Sequence, residues 1–224
     1  MVSQIMNQSV NNRLSELYLQ YTEPYLAAYV EVFADDDPPS RINEFGIIDE
    51  SRYDYDNGIL VIAKETDGWS NEDYACGVLF RSWMNNITLN GLHGHARRHP
   101  TMWYNIGRWV SYILDPSQQL ERLAEMYPIS EIGRVAYTNM NKVRGGTQSG
   151  DQYWQLANSD ISGEILRKEI EILQPKVIVC CGTYREFIHH VPCYEGIVVD
   201  MPHPGARKRK LDMLALLAQQ FLSK

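Results

Sequence analysis

Two carboxylates, two amides, one imidazole and a run of four cations follow short apolar runs in this chain. Glu65 and Asp67 come after Ile59-Leu60-Val61-Ile62-Ala63, and Asn139 and Asn141 after Val135-Ala136-Tyr137-Thr138. His203 comes after Ile197-Val198-Val199-Asp200, and Arg207-Lys208-Arg209-Lys210 follows it closely. A carboxylate can take a proton from water or face a developing positive charge. An amide presents donors and an acceptor on one edge. A histidine can donate or accept near neutral pH. Consecutive cations suit phosphates. Lys64 and Lys142 are amines that could act as nucleophiles, a role that needs a lowered pKa.

Each of these residues also has a plainer reading. Glu65 can be a salt-bridged strand-end residue, Asn139 a turn former, His203 a loop histidine and the cation run a solvated face. The run invites more than that if it opens a helix, because cations there oppose the helix dipole. His93, His95 and His99 lie in a loop without the helical spacing of a metal site. Trp103, Trp109 and Trp154 read as core.

The apolar runs set the frame. Gly58 through Ala63, Arg134 through Thr138, Lys176 through Cys181 and Ile197 through Asp200 have the length and composition of buried strands. Between them lie helical patterns. Residues 10–33 read as helix, with Pro24 splitting it. Residues 72–130 read as mostly helical around a loop at 91–100, and residues 160–173 as an amphipathic helix stopped by Pro175. Strands separated by helices imply right-handed crossovers and a parallel sheet. In such sheets the ligand sits beyond the carboxyl ends of the strands. Loops 64–69, 139–151, 182–185 and 201–207 should therefore converge. Spacing alone does not name a reaction.

Bulk properties narrow the class. The chain of 224 residues is 44% hydrophobic and 22% charged, ordinary values for one well-buried core. No apolar run reaches eighteen residues and no signal-peptide order opens the chain, so a cytoplasmic protein without a membrane partner is expected. The four cysteines form no CxxC pair, which disfavours zinc or iron–sulfur sites and favours buried free thiols. A net charge of −7 argues against a protein that coats nucleic acid but leaves room for a local basic patch.

The sequences ILVIAKETDGW, RVAYTNMNKVRGG, LQPKVIVCCGTYREF and VVDMPHPGARKRK, in that order, resemble the uracil-DNA glycosylase superfamily. The likeness runs from residue 59 to about 210 and leaves 1–58 and most of 70–130 unmatched. It implies one α/β domain over 1–224, a three-layer sandwich whose central four-stranded parallel sheet has the order 2-1-3-4. Residues 1–50 would be a helical extension and 72–130 a helical insertion. In Ala63-Lys64-Glu65-Thr66 the resemblance makes Glu65 the residue that positions or activates water, with Asp67 as the alternative. The usual Gly and Pro are here Ala63 and Thr66, and the iron–sulfur branch of the family carries its Glu where this chain has Lys64.

The resemblance further implies that Asn139, with Asn141 as competitor, reads an extruded base, and that His203 bonds the base and favours its departure. Trp69, then Tyr74, would be the stacking platform, and Arg207, Lys208, Arg209 and Lys210 would meet phosphates. The implied partner is DNA, single- or double-stranded, with no metal or organic cofactor. The implied reaction is hydrolysis of the N-glycosidic bond of uracil or another altered base. A non-catalytic module that holds a base, nucleotide or modified DNA is the main alternative, and a free nucleoside or nucleotide hydrolase a third.

Overall fold

The structure, a computed structural model, describes residues 8–67, 80–145 and 150–223. The strands among them are β1 (Gly46–Ile47), β2 (Ile59–Ala63), β3 (Thr66–Asp67), β4 (Ala136–Asn139), β5 (Arg144–Gly145), β6 (Val177–Cys181) and β7 (Ile197–Met201). The helices are α1 (Val10–Phe33), α2 (Phe80–Asn90), α3 (Pro100–Leu114), α4 (Leu120–Glu125), α5 (Asp151–Ala157), α6 (Asp160–Leu173), α7 (Tyr184–His190) and α8 (Lys210–Leu222).

β2 and β6 contain no charged residue and are buried along their whole length, so they occupy the middle of a sheet. That sheet has five strands in the order β1-β4-β2-β6-β7 and is flanked by helices. It is mixed, not the all-parallel four-stranded sheet expected. β4, β2, β6 and β7 run parallel, whereas β1 pairs antiparallel with β4, Gly46 opposite Tyr137. β1 is only two residues long, too short for an alternation of apolar and polar residues to announce it. It also ties the chain at Gly46 and Ile47 into the sheet beside β4. A separate pair, β3 with β5, joins the loops that follow β2 and β4.

Period-two alternation on β4 sorts the two helical layers. Tyr137 packs against Phe80 of α2 and Trp103 of α3. Its neighbour Thr138 points the other way and donates to Glu169 of α6, 2.9 Å away. α1 packs on α5 and α6, while α8 packs on α3, α4 and β7. Ser159 caps α6 by accepting from the Ser162 N–H, and Gln174 ends it in a left-handed conformation before Pro175.

Three local expectations are corrected. Pro24 lies inside α1 without splitting it. Pro24 and Gln20 both face solvent, so water can bond the Gln20 carbonyl that proline leaves free, while Tyr18, Tyr21, Tyr25 and Tyr29 hold the opposite face buried. The second long strand starts at Ala136, because a 3-10 turn occupies Ile129–Arg134. Cys180 and Cys181 are buried on β6 and burial pushes both thiols up, but Cys193 is exposed, so the thiols are not uniformly buried. Cys76 lies outside the described residues. Among the described residues no helix is long and apolar enough to cross a membrane.

Candidate active site at the carboxyl ends of the parallel strands

β2 and β4 run on past their paired ends. Met140 N–H bonds the Ala63 carbonyl at 2.8 Å, and Asn141 N–H bonds the Lys64 carbonyl at 2.9 Å. This locks the loop bearing Glu65 to the loop bearing the two asparagines. On the other side Gly182 N–H bonds the Met201 carbonyl at 2.7 Å, which ties the end of β6 to the end of β7. Gly182 has φ +74°, and a Cβ there would lie 3.4 Å from His203 N and 3.5 Å from Lys64 Cε. The three strand ends therefore meet at Gly182, with Lys64 and His203 both close to it.

His203 sits between Pro202 and Pro204, which restrict its backbone. The Pro204 carbonyl accepts from Asn105 Nδ2 at 2.7 Å, and Asn105 Oδ1 accepts from the buried Arg108 at 2.8 Å. The loop is thus fastened to α3. Gly205 N–H donates to His203 Nδ1 at 3.1 Å. With Nδ1 accepting, the neutral ring carries its proton on Nε2. His203 is exposed to solvent. The protein packed around it, then the Lys64 ammonium and His99, lower its pKa. The group is a neutral imidazole with an Nε2–H to donate.

Glu65 lies over Gly145, where any Cβ would overlap its carboxyl group. β5 is held in turn by Arg144, paired with Asp35 at 2.9 Å beyond the end of α1. Asp67 is on β3, but its side chain is outside what the structure describes, and Trp69 and Tyr74 lie outside the described residues altogether. Asn139 ends β4 opposite Ala63 and is buried, as is Asn141. The Asn141 amide oxygen is buried with no hydrogen-bond partner among the described residues.

Comparison with protein-family models, with curated proteins and with solved structures finds no match for this chain. The uracil-DNA glycosylase resemblance therefore stands on these strand-end residues alone.

Lys142 is removed from the nucleophiles. It is fully buried, and its ammonium bonds Thr138 Oγ1 at 2.7 Å, the Asn139 carbonyl at 2.5 Å and Glu169 at 2.8 Å. Tyr18 donates to the same Glu169 carboxylate. Burial pushes the lysine pKa down while Glu169 pulls it up. The pair grips the backbone at Asn139 from below, which makes Lys142 a positioning residue.

The cation run is exposed throughout. Only Lys210 lies in the first turn of α8, and Arg207, Lys208 and Arg209 precede it. The dipole conflict expected from a run opening a helix is therefore mostly absent, and Asp212 in the same turn offsets what remains. Lys210 stands 5.6 Å from the ring of Tyr127, which is itself exposed. A cation beside an exposed aromatic suits a nucleic-acid strand.

Sequence reading named Lys64 only as a candidate nucleophile, and it missed Asn105, Arg108 and Tyr127. Trp154, read as core, is only partly buried, and Lys64 Nζ sits 4.8 Å from its ring.

Gly182→Ala tests the convergence. A left-handed φ disfavours alanine by about 1–2 kcal/mol, and the new methyl crowds Lys64 and His203. The expected result is a lowered urea midpoint together with a larger proportional loss of any activity that depends on His203.

Proposed function

We propose that the chain hydrolyses the N-glycosidic bond of uracil or another altered base in DNA, in the manner of a divergent uracil-DNA glycosylase. The observation that carries this reading is His203, a loop-clamped imidazole whose Nδ1 is occupied and whose Nε2–H is free to donate. The reading takes β4-β2-β6-β7 as the family's parallel core in the order 2-1-3-4, with β1 as an added edge strand, and the parallel pairings support it.

In the reaction a water oxygen attacks the sugar C1′, and the electron pair of the C1′–N bond leaves with the base. Positive charge develops on the sugar and negative charge on the base. His203 Nε2–H donates to a base carbonyl oxygen and stabilises the departing anion. A neutral donor suits the task, because it strengthens its bond as charge grows on the base. Glu65 or Asp67 supplies the carboxylate that orients water, faces the sugar and takes the water proton as the O–C1′ bond forms. Asn141 offers an acceptor for a base N–H, and Asn139 flanks it. The target base must leave the stack to reach these groups.

Phosphates of the bound strand fall to Arg207, Lys208, Arg209 and Lys210, with Tyr127 alongside. About three neutralised phosphates give a log–log salt slope near −2 to −3. Replacing all four cations by Ser is expected to flatten that slope and weaken binding to every sequence about equally. Unchanged salt dependence in that variant would make the run a solvated face.

A second reading, a module that holds a base without cleaving it, is favoured by the first motif, where Ala63 and Thr66 replace the usual Gly and Pro, and by the net charge of −7. Release of free uracil from an oligonucleotide carrying one such base separates the two. Binding without release supports the module, and release supports the hydrolase.

A further inference from the structure

Beside Gly182 lies a cavity of about 270 Å³, and His203 is not among the residues that line it. It is lined by Trp154 of α5, Gly182, Tyr184, Arg185 and Glu186 at the start of α7, and Asp200 of β7. The volume falls just below the range of drug-sized sites, about 300–1,000 Å³, which leaves room for one planar ring system.

The walls are chemically specific. Trp154 is only partly buried and is buttressed edge-on by Tyr153, with ring centroids 4.8 Å apart at 81°. Lys64 Nζ is 4.8 Å from the Trp154 ring, so a cation already polarises that platform. Tyr184 is 38% exposed, a second ring open to a ligand. Glu186 is 3% exposed, yet it borders the cavity and forms no ion pair among the described residues. Asp200 is exposed on the same wall, and its backbone N–H and carbonyl are both taken by Gln220 at 2.8 Å, leaving its carboxylate unused by the strand edge.

A helix-capping role for Glu186 would pair it with Thr183 three residues earlier. The Thr183 hydroxyl instead donates to the Ile62 carbonyl at 2.9 Å, and no side-chain cap forms. Desolvation raises the carboxyl pKa of Glu186, against its own backbone N–H and the charges of Lys64 and Arg185, and it raises that of Asp200 against Arg185.

We propose that this cavity is a second base-binding subsite that takes a guanine, stacked on Trp154 with its N1–H and 2-amino edge on Glu186. A carboxylate accepts two parallel N–H bonds, and guanine presents two adjacent donors on one edge. Uracil, thymine, adenine and cytosine each break that pattern with an acceptor. Asp200 stands ready for the remaining amino proton. The guanine can come from a free nucleoside or from a nucleotide of a bound strand, and the subsite does not depend on bond cleavage at His203.

The test uses the full chain and two probes. One is guanosine, with adenosine, cytidine and uridine as comparators. The other is a single-stranded thymine oligonucleotide with or without one guanine. Calorimetric titration is expected to show guanosine binding at least tenfold tighter than the other nucleosides. Glu186→Gln, which turns one acceptor into a donor, and Trp154→Ala should each weaken it at least tenfold. Asp200→Asn, on an exposed side chain that poses no folding risk, should weaken it several-fold, and His203→Ala should leave it unchanged. A guanine preference seen only in the oligonucleotide, and lost in Glu186→Gln and Asp200→Asn, also supports the subsite and names the strand as the source. No guanine preference with either probe, or a preference unaffected by Asp200→Asn and by a folded Glu186→Gln, overturns it. Loss of base release in His203→Ala with guanine binding intact would concern only the reading of the first site.

Discussion

His203→Ala is expected to lower single-turnover base release by about 10²- to 10³-fold, the usual cost of removing one donor to a developing anion. The loss should fall on the chemical step and leave DNA affinity nearly unchanged, because the bond to the base strengthens only as charge develops. The dependence on pH has a definite sign. The surroundings of His203 hold its pKa below 6.5. The neutral, donating ring is then in place through pH 6.5–8, and release should be level across that range. Below pH 6.5 release falls as the ring gains a second proton, because Nδ1 then loses the Gly205 N–H bond that sets the loop. His203→Gln, which keeps a donor, should recover part of the rate and abolish this acid limb. A His203→Ala variant as fast as wild type would leave the imidazole with no part in catalysis.

The largest expected effect on stability is at Lys142 and Glu169. Both side chains are buried, and each is the other's only countercharge within 4 Å among the described residues. Replacing one partner strands a charge in the interior and costs about 3–5 kcal/mol. Lys142→Met leaves Glu169 with the hydroxyls of Tyr18 and Thr138, too little to offset a buried carboxylate. Replacing both, as Lys142→Met with Glu169→Leu, should restore much of the loss, since a well-packed apolar pair is often as stable as a buried ion pair. Urea unfolding of the two single variants and the double variant measures the coupling directly. A single-variant cost under about 1 kcal/mol would contradict the buried-pair description. Because Lys142 also bonds the Asn139 carbonyl, the stable double variant should still lose base release if the pair positions the asparagine loop.

Much of this architecture was legible in the sequence because its central elements are uniform. Ile59 to Ala63 and Val177 to Cys181 admit no polar residue, and only a strand buried on both faces needs that. Short elements held by tertiary contacts were not legible. β1, β3 and β5 have two residues each, too few for any period. Pro24 misled because its effect depends on which side of the helix meets water, and that is set by packing. At the site, His203 could be picked out by its place before a proline at a strand end. Asn105 and Arg108 could not, because they reach His203 only through the Pro204 carbonyl, 99 residues from Asn105. Trp154 read as core because nothing in a sequence distinguishes a tryptophan that fills the interior from one that borders a cavity.

The central claim is that the strand-end site breaks an N-glycosidic bond. It is tested most directly by incubating the protein with an end-labelled oligonucleotide carrying a single uracil, as single strand and as duplex, with a thymine control. Free base and alkali-labile abasic sites are then counted. The account predicts abasic sites equal in number to the free uracil released, none from thymine, and loss of both in His203→Ala. Retained binding to the uracil strand with no base released from either form, at protein in excess over DNA, would contradict it.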